Sequence, residues 1–262
     1  MNDDAQKLAR TARQLLDTDA ALGGSYLPAE RNPLPSPAPA TPEKAGPAPP
    51  ATSPRSPDAE EKAAALDRIY TQEARDCEKC GLSRGRNKVV FGEGNSDADL
   101  VFVGEGPGQE EDRTGHPFVG RAGDLLTKMI GAMGLRREDV YICNVVKCRP
   151  PGNRAPTPDE AAACWSYLVR QLEIIRPRVI VTLGNPATRA LLNTREGITR
   201  LRGRWQQLGM IGEGLAGTAV MPTFHPAFLL RQYTQDNRGK VWSDLQQVMA
   251  ELGLATPKRG EG

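Results

Sequence analysis

Residues 99–108 read DLVFVGEGPG, and this stretch decides the fold. Four apolar residues, Leu100 to Val103, run straight into a turn with glycine at 104, 106 and 108. A short continuous apolar run closed by turn residues reads as a strand buried on both faces. Working outward, the same pattern returns in VYICNVV (140–146), RVIVTLG (178–184) and TAVMPTF (218–224). Helical patterns alternate with these runs. They are DAEEKAAALDRIYTQEARDC (58–77), GRAGDLLTKMIGAMG (120–134), TPDEAAACWSYLVRQLEIIR (157–176), NPATRALL (185–192) and a last one from about Asn237 to Leu252. Thr157, Pro158 and Glu160 supply the cap, first-turn proline and capping-box acid of the third helix. The alternation predicts an α/β protein: a three-layer α/β/α sandwich on a mainly parallel sheet of about four strands. In such sheets ligands sit at the carboxyl ends of the strands. That rule gathers Gly104 to Gly108, Asn144 and His225.

The flanks differ in composition. In residues 1–22, Ala5, Leu8, Ala12, Leu15 and Leu16 fall near one stripe, which reads as a marginal helix suited to a protein partner. Residues 23–57 hold 11 of the 22 prolines and read as a disordered, partly polyproline II linker. The folded domain is expected over 58–254, with a short tail at 255–262. Lys and Arg total 34 against 32 Asp and Glu, so overall charge does not announce a polyanion partner, and any basic surface is local. No run of 18 apolar residues is present, and MNDDAQKLAR at the start lacks the basic-then-apolar order of a secretory signal. The expectation is a cytoplasmic protein without a membrane span.

Five cysteines in such a chain are not expected to form a disulfide framework. Cys77 and Cys80 make a C-x2-C pair; Cys148 follows after 67 intervening residues and Cys164 after 15 more. Four thiolates from two separated pairs fit a tetrahedral Zn2+ or an iron–sulfur cluster, and their wide spread leans toward the larger group. Cys143, in mid-strand, reads as core. The 101–120 segment, VFVGEGPGQEEDRTGHPFVG, sets a puzzle. A glycine-rich turn after a strand usually cradles phosphate, yet this one carries Glu105, Glu110, Glu111 and Asp112.

The ordered set C-x2-C, FGEGN, GEGPGQEED, GHPFVGRAG, NVVKCRPPGNRAPTPDE, a helix cysteine, ITRLRGRW and HPAFLLR resembles the family 4 uracil-DNA glycosylases over about residues 74–252. The resemblance implies a uracil-DNA glycosylase fold and a monofunctional enzyme of base-excision repair. Such an enzyme hydrolyses the N-glycosidic bond of flipped-out deoxyuridine. It implies one structural [4Fe-4S] cluster on Cys77, Cys80, Cys148 and Cys164, with Zn2+ as the lesser alternative. Its partner is uracil-containing DNA, single- or double-stranded, bound by a monomer. Glu105, Gly106 and Pro107 match the first uracil-binding motif. Phe118 matches the aromatic that stacks on the base, Asn144 the amide that reads it, and His225 the histidine of the second motif.

The puzzle then has an answer. The turn meets a neutral base, not a phosphate, and carboxylates there favour a positively charged sugar in the transition state. Asn144 offers an acceptor and a donor side by side, matching uracil N3–H and O4 and mismatching cytosine. His225 near uracil O2 stabilises the departing anion. The best-known uracil glycosylases carry an aspartate where this chain has Gly106. Glu111 is therefore the candidate to orient water or to crowd the uracil C5 edge, with Glu105 second. His116 reads as a surface or rim residue.

Candidate phosphate contacts are Arg84, Arg86, Arg149, Arg154, Arg202 and Arg231. A strand over ITRLRGRW would align Arg200, Arg202 and Arg204 on one face. Leu229 or Leu230 is the candidate wedge for the gap left by the flipped base. Two further readings compete: a DNA-binding or polymerase-associated accessory module without catalysis, and a glycosylase that traps itself covalently on the abasic site.

Overall fold

The computed structural model describes residues 57–255. The helix expected at 1–22, the linker at 23–57 and the tail at 255–262 lie outside the described residues, apart from Pro57 and Ala255. In chain order the elements are α1 (Pro57–Ile69), β1 (Glu93–Gly94), β2 (Leu100–Gly104), α2 (Gln109–Thr114), α3 (Gly120–Ala132) and β3 (Tyr141–Asn144). Then come α4 (Pro158–Ile175), β4 (Val179–Leu183), α5 (Asn185–Leu192), α6 (Ile198–Leu201), β5 (Gln206–Gln207), β6 (Ala219–Thr223), α7 (Pro226–Arg231) and α8 (Gln235–Leu252).

The four apolar runs form four parallel strands in the order β3-β2-β4-β6. Two edge strands extend the sheet: β1 pairs antiparallel with β3, and β5 with β6. The sheet therefore has six strands, β1-β3-β2-β4-β6-β5. Each edge strand has two residues, too few to leave a periodic pattern in the sequence.

Because side chains alternate across a strand, each central strand feeds two cores. Val101, Val103, Cys143, Ile180 and Val220 pack with Leu66 and Ile69 of α1, with Leu168 and Leu172 of α4, and with Ala187 and Leu191 of α5. Leu100, Phe102, Ile142, Val181 and Met221 pack with Leu126 and Ile130 of α3 and with Leu245 and Val248 of α8. This is the three-layer α/β/α arrangement expected.

Local signals set most boundaries. Thr157 and Glu160 form the reciprocal capping box of α4. The last helix begins two residues earlier than expected, at Gln235, because Thr234 accepts a hydrogen bond from the Asn237 N–H at 3.1 Å. Strand β3 stops at Asn144, but its ladder to β2 does not end there. Val145 N–H donates to the Gly104 carbonyl at 2.9 Å and Val146 N–H to that of Glu105 at 3.1 Å. These bonds draw the glycine turn against the residues after Asn144.

ITRLRGRW does not form a strand. Ile198–Leu201 is a short helix, and Gly203 has φ 70° just after it. The reason lies 42 residues on: Asp244 is fully buried and takes the Arg202 guanidinium in an ion pair, with Nε to Oδ2 at 3.1 Å. Unpaired, a buried carboxylate would be strongly destabilising. Among the described residues no helix is long and apolar enough to cross a membrane.

Candidate active site

The tips of the parallel strands meet in one slot. Gly104 ends β2 and lies opposite Asn144, the last residue of β3. A Cβ on Gly104 would stand 2.3 Å from Asn144 Oδ1 and 2.5 Å from Phe118 Cζ. Only glycine lets both side chains come this close to the strand end. Asn144 is 1 % exposed, and its Oδ1 is buried without a hydrogen-bond partner. Buried polar atoms are nearly always paired, so this orphan acceptor marks the place of a ligand donor. Gly106 presses on the segment after Asn144: a Cβ there would meet Val146 Cγ2 at 2.7 Å.

Phe118 lies between α2 and α3 and is buried, with its ring 5.5 Å from that of His225 and tilted by 32°. His225 sits just past β6 and beside the tip of β4, where Gly184 (φ 85°) passes; a Cβ there would be 3.0 Å from His225 Cβ. The imidazole caps α7. Its Nδ1 accepts the Ala227 N–H at 3.0 Å, which places the proton of the neutral ring on Nε2. Burial, aided by Arg231, lowers its pKa to about 4, so the ring is neutral at pH 7.

The two candidate carboxylates differ. Glu105 is half-buried, and burial raises its pKa above the ordinary glutamate value. Glu111 is already engaged. Its Oε1 accepts the Val119 N–H at 3.1 Å, and its Oε2 lies 2.7 Å from where a Cβ on Gly108 would sit. His116 is exposed, with Nδ1 2.8 Å from Glu93.

The cysteines occupy another part of the domain, on the α4 side of the sheet. Cys148 and Cys164 are buried in the core that includes α4, and Cys77 and Cys80 pack against it. Cys148 is near enough to Cys80 and Cys164, and Cys164 to Cys77 and Cys80, for their charges to act on one another. Burial pushes the Cys148 thiol up to about 11, although Arg86 pulls the other way. No group of three or more His, Cys, Asp or Glu side chains among the described residues is placed to hold a single metal ion. Four neighbouring thiols are the donor chemistry of a zinc or an iron–sulfur site. Cys143 is core, as expected.

Two buried side chains tie the cysteine region to the slot. Buried Asp112 of α2 accepts from the Asn87 N–H at 2.9 Å and from its side chain at 2.5 Å. Buried Lys147 donates to the Asn144 carbonyl at 2.8 Å and to Gln171 Oε1 at 2.5 Å. Sequence reasoning passed over Lys147, although a lone lysine between Asn144 and Cys148 in an apolar run is a signal.

The basic residues divide. Arg84 and Arg231 are exposed. Arg149 is half-buried and bonds Asn153 at 2.8 Å. Arg154 forms a two-pronged pair with Glu160 at 2.7 and 2.8 Å. Arg86 is turned to the cysteines, donating to the Cys77 carbonyl at 2.5 Å and to Cys148 Sγ at 3.6 Å. Arg202 is spent on Asp244 and stacks on Phe224. Arg86 and Arg202 are thus corrected from phosphate contacts to internal braces. Leu229 is likewise corrected from wedge to core, being 2 % exposed, while Leu230 is half-exposed. A groove of about 610 Å3 between α3, α7 and α8 is lined by none of Gly104, Phe118, Asn144 or His225.

The sequence model of the uracil DNA glycosylase superfamily matches residues 91–246. A type-4 uracil-DNA glycosylase of Thermotoga maritima is 50% identical over 187 residues, which cover 70% of this chain and 93% of that protein. The chain belongs to the type-4 uracil-DNA glycosylases. The type-4 uracil-DNA glycosylase of Archaeoglobus fulgidus is 45% identical over 73% of this chain and 96% of its own length. A type-5 uracil-DNA glycosylase of Pyrobaculum aerophilum is more distant, 34% identical over 51% of this chain and 63% of its own length.

For this type-4 glycosylase the Gly104 geometry gives a direct expectation. Gly104→Ala drives a methyl group against Asn144 and Phe118 and displaces them, and excision falls about a hundredfold or more while the fold persists. Excision rate set beside a thermal melt checks it.

Proposed function

We propose that this enzyme hydrolyses the N-glycosidic bond of deoxyuridine everted from DNA, releasing uracil and leaving an abasic site. The observation that carries the reading is the buried, unpartnered Oδ1 of Asn144, which Gly104 allows to lie beside the Phe118 ring. Uracil supplies what the slot lacks: N3–H donates to Oδ1, and O4 accepts from the Asn144 amide. Cytosine would set N3, an acceptor, against Oδ1, leaving both unpaired in a buried place. Phe118 gives the base a flat face, worth about 1–3 kcal/mol and blind to base identity.

As the bond to the sugar breaks, negative charge gathers on uracil O2. Neutral His225 meets it with the Nε2 proton, a fixed donor that loses nothing to reorganisation. Glu105 is assigned to the sugar side, where its carboxylate favours the positive sugar and orients the attacking water. Glu105, Gly106 and Pro107 together form the turn that the base enters.

Cys77, Cys80, Cys148 and Cys164 would hold one [4Fe-4S] cluster, whose part here is structural. Arg86 and the Lys79 N–H, which lies 3.5 Å from Cys77 Sγ, would serve as hydrogen-bond donors to its sulfurs. The purified protein is then expected to contain iron and inorganic sulfide in equal amounts and no zinc, which elemental analysis checks. DNA contacts are assigned to Arg84, Arg149, Arg154 and Arg231, with Leu230 in place of Leu229 as the wedge. A monomer in the cytoplasm completes the proposal, and free thiols suit that reducing compartment. The N-terminal segment, residues 1–22, remains the candidate contact for a protein partner.

The test is a gel assay on a uracil-containing oligonucleotide, single- and double-stranded. Abasic sites at the uracil position are expected, without protein–DNA adducts that survive denaturation. Binding without abasic sites would favour the accessory-module reading, and surviving adducts the self-trapping one.

A further inference from the structure

The backbone of Phe118 has φ 50°, a left-handed conformation that residues with a Cβ seldom adopt. Such a conformation persists only where its surroundings hold it. Two charged side chains from separate segments do so here. The Arg137 guanidinium, from the turn Arg137–Asp139, donates through Nη2 to the Pro117 carbonyl and through Nη1 to Thr127 Oγ1 at 3.4 Å. Glu111 of α2 accepts the Val119 N–H at 3.1 Å. The Pro117 carbonyl belongs to the peptide plane before the Phe118 Cα, and the Val119 N–H to the plane after it. One side chain thus fixes each of the two planes whose rotations are φ and ψ of Phe118.

The site around this clamp is built to match. Gly123 of α3 leaves room beneath, since a Cβ there would stand 1.9 Å from the Phe118 carbonyl oxygen. Arg137 is half-buried, and Glu93 and Glu111 are the carboxylates near enough to support its charge. Glu93 also holds His116, so the chain on the other side of Pro117 is tethered too. The ring of Phe118 is left against His225 and Gly104.

We propose that Arg137 and Glu111 are positioning residues for uracil excision, clamping both peptide planes around Phe118 so that the stacking platform is set before a base arrives. This rests on the reading of Phe118 as that platform. It gives Glu111 a role through its acceptor geometry, in contrast to a role through its basicity.

The test is single-turnover excision on single-stranded uracil DNA by the full chain, with thermal melts run in parallel. R137M and E111A are each expected to lose about tenfold to a hundredfold in rate while still folded at the assay temperature. R137K keeps one donor for the Pro117 carbonyl, and E111Q keeps the acceptor for the Val119 N–H. Both are expected to recover most of the loss. In a F118L background R137M is expected to add little further loss, because both changes disable one device.

Wild-type rates in R137M and E111A beside an impaired F118L would overturn the clamp and spare the platform. A wild-type rate in F118L would overturn the platform reading itself. Additive losses in R137M/F118L would place Arg137 in another role, and E111Q as slow as E111A would return Glu111 to acid–base chemistry; either defeats the inference. Should R137M not fold, E111A alone and in the F118L background carries the same comparison.

Discussion

An Asn144→Asp variant is expected to excise uracil at least about 10³-fold more slowly than the wild type in single turnover at neutral pH, with its thermal melt little changed. The substitution keeps the size and shape of the side chain at the tip of β3, so the pairing of Gly104 with residue 144 survives. What changes is the hydrogen-bond pattern. An ionised carboxylate accepts at both oxygens, so N3–H still finds a partner while uracil O4 faces a negative oxygen in a buried place. The cost falls on recognition and on the transition state, where charge on the leaving base grows. The same carboxylate can accept from the amine of cytosine, so the uracil-to-cytosine rate ratio narrows as well. Parallel assays on uracil- and cytosine-containing strands check both effects. An unchanged rate would remove Asn144 from the reaction.

His225→Ala is expected to cost about 10²–10³-fold in the same assay, the usual loss for one fixed donor to a developing anion. The pH dependence separates donor from acid. The pKa of His225 is lowered to about 4, so the ring stays neutral as pH falls from 7 toward 5 and its donor is unaffected. Glu105 behaves oppositely. Its pKa lies above the ordinary glutamate value, and in the role proposed for it the ionised form is the active one, which protonation removes as pH falls. The acid limb of the rate profile is therefore expected above the usual carboxylate range and is expected to persist in His225→Ala. A limb near the ordinary histidine pKa that disappears with His225 would instead make the imidazole an acid–base group.

The central strands were legible because burial on both faces leaves unbroken apolar runs, and glycine at 104 and 184 closes two of them. The slot was legible through the strand-end rule, since Gly104 and Asn144 end strands and His225 follows one. Other features depend on partners far along the chain, which periodicity does not encode. Arg202 looked like one of three aligned surface arginines until Asp244 claimed it. Leu229 looked like a free tip but packs into the core that includes α3 and α8. Arg137 carries no motif at all; its meaning comes from the Pro117 carbonyl 20 residues earlier in the chain. Glu111 was singled out for its charge, whereas the structure uses it first as an acceptor for a backbone N–H.

A crystal structure with free uracil bound tests the central claim most directly. The account predicts uracil stacked on Phe118, with N3–H on Asn144 Oδ1, O4 on the Asn144 amide and O2 on His225 Nε2. Uracil bound elsewhere, or seated in the slot with Asn144 Oδ1 still unpaired, would contradict it.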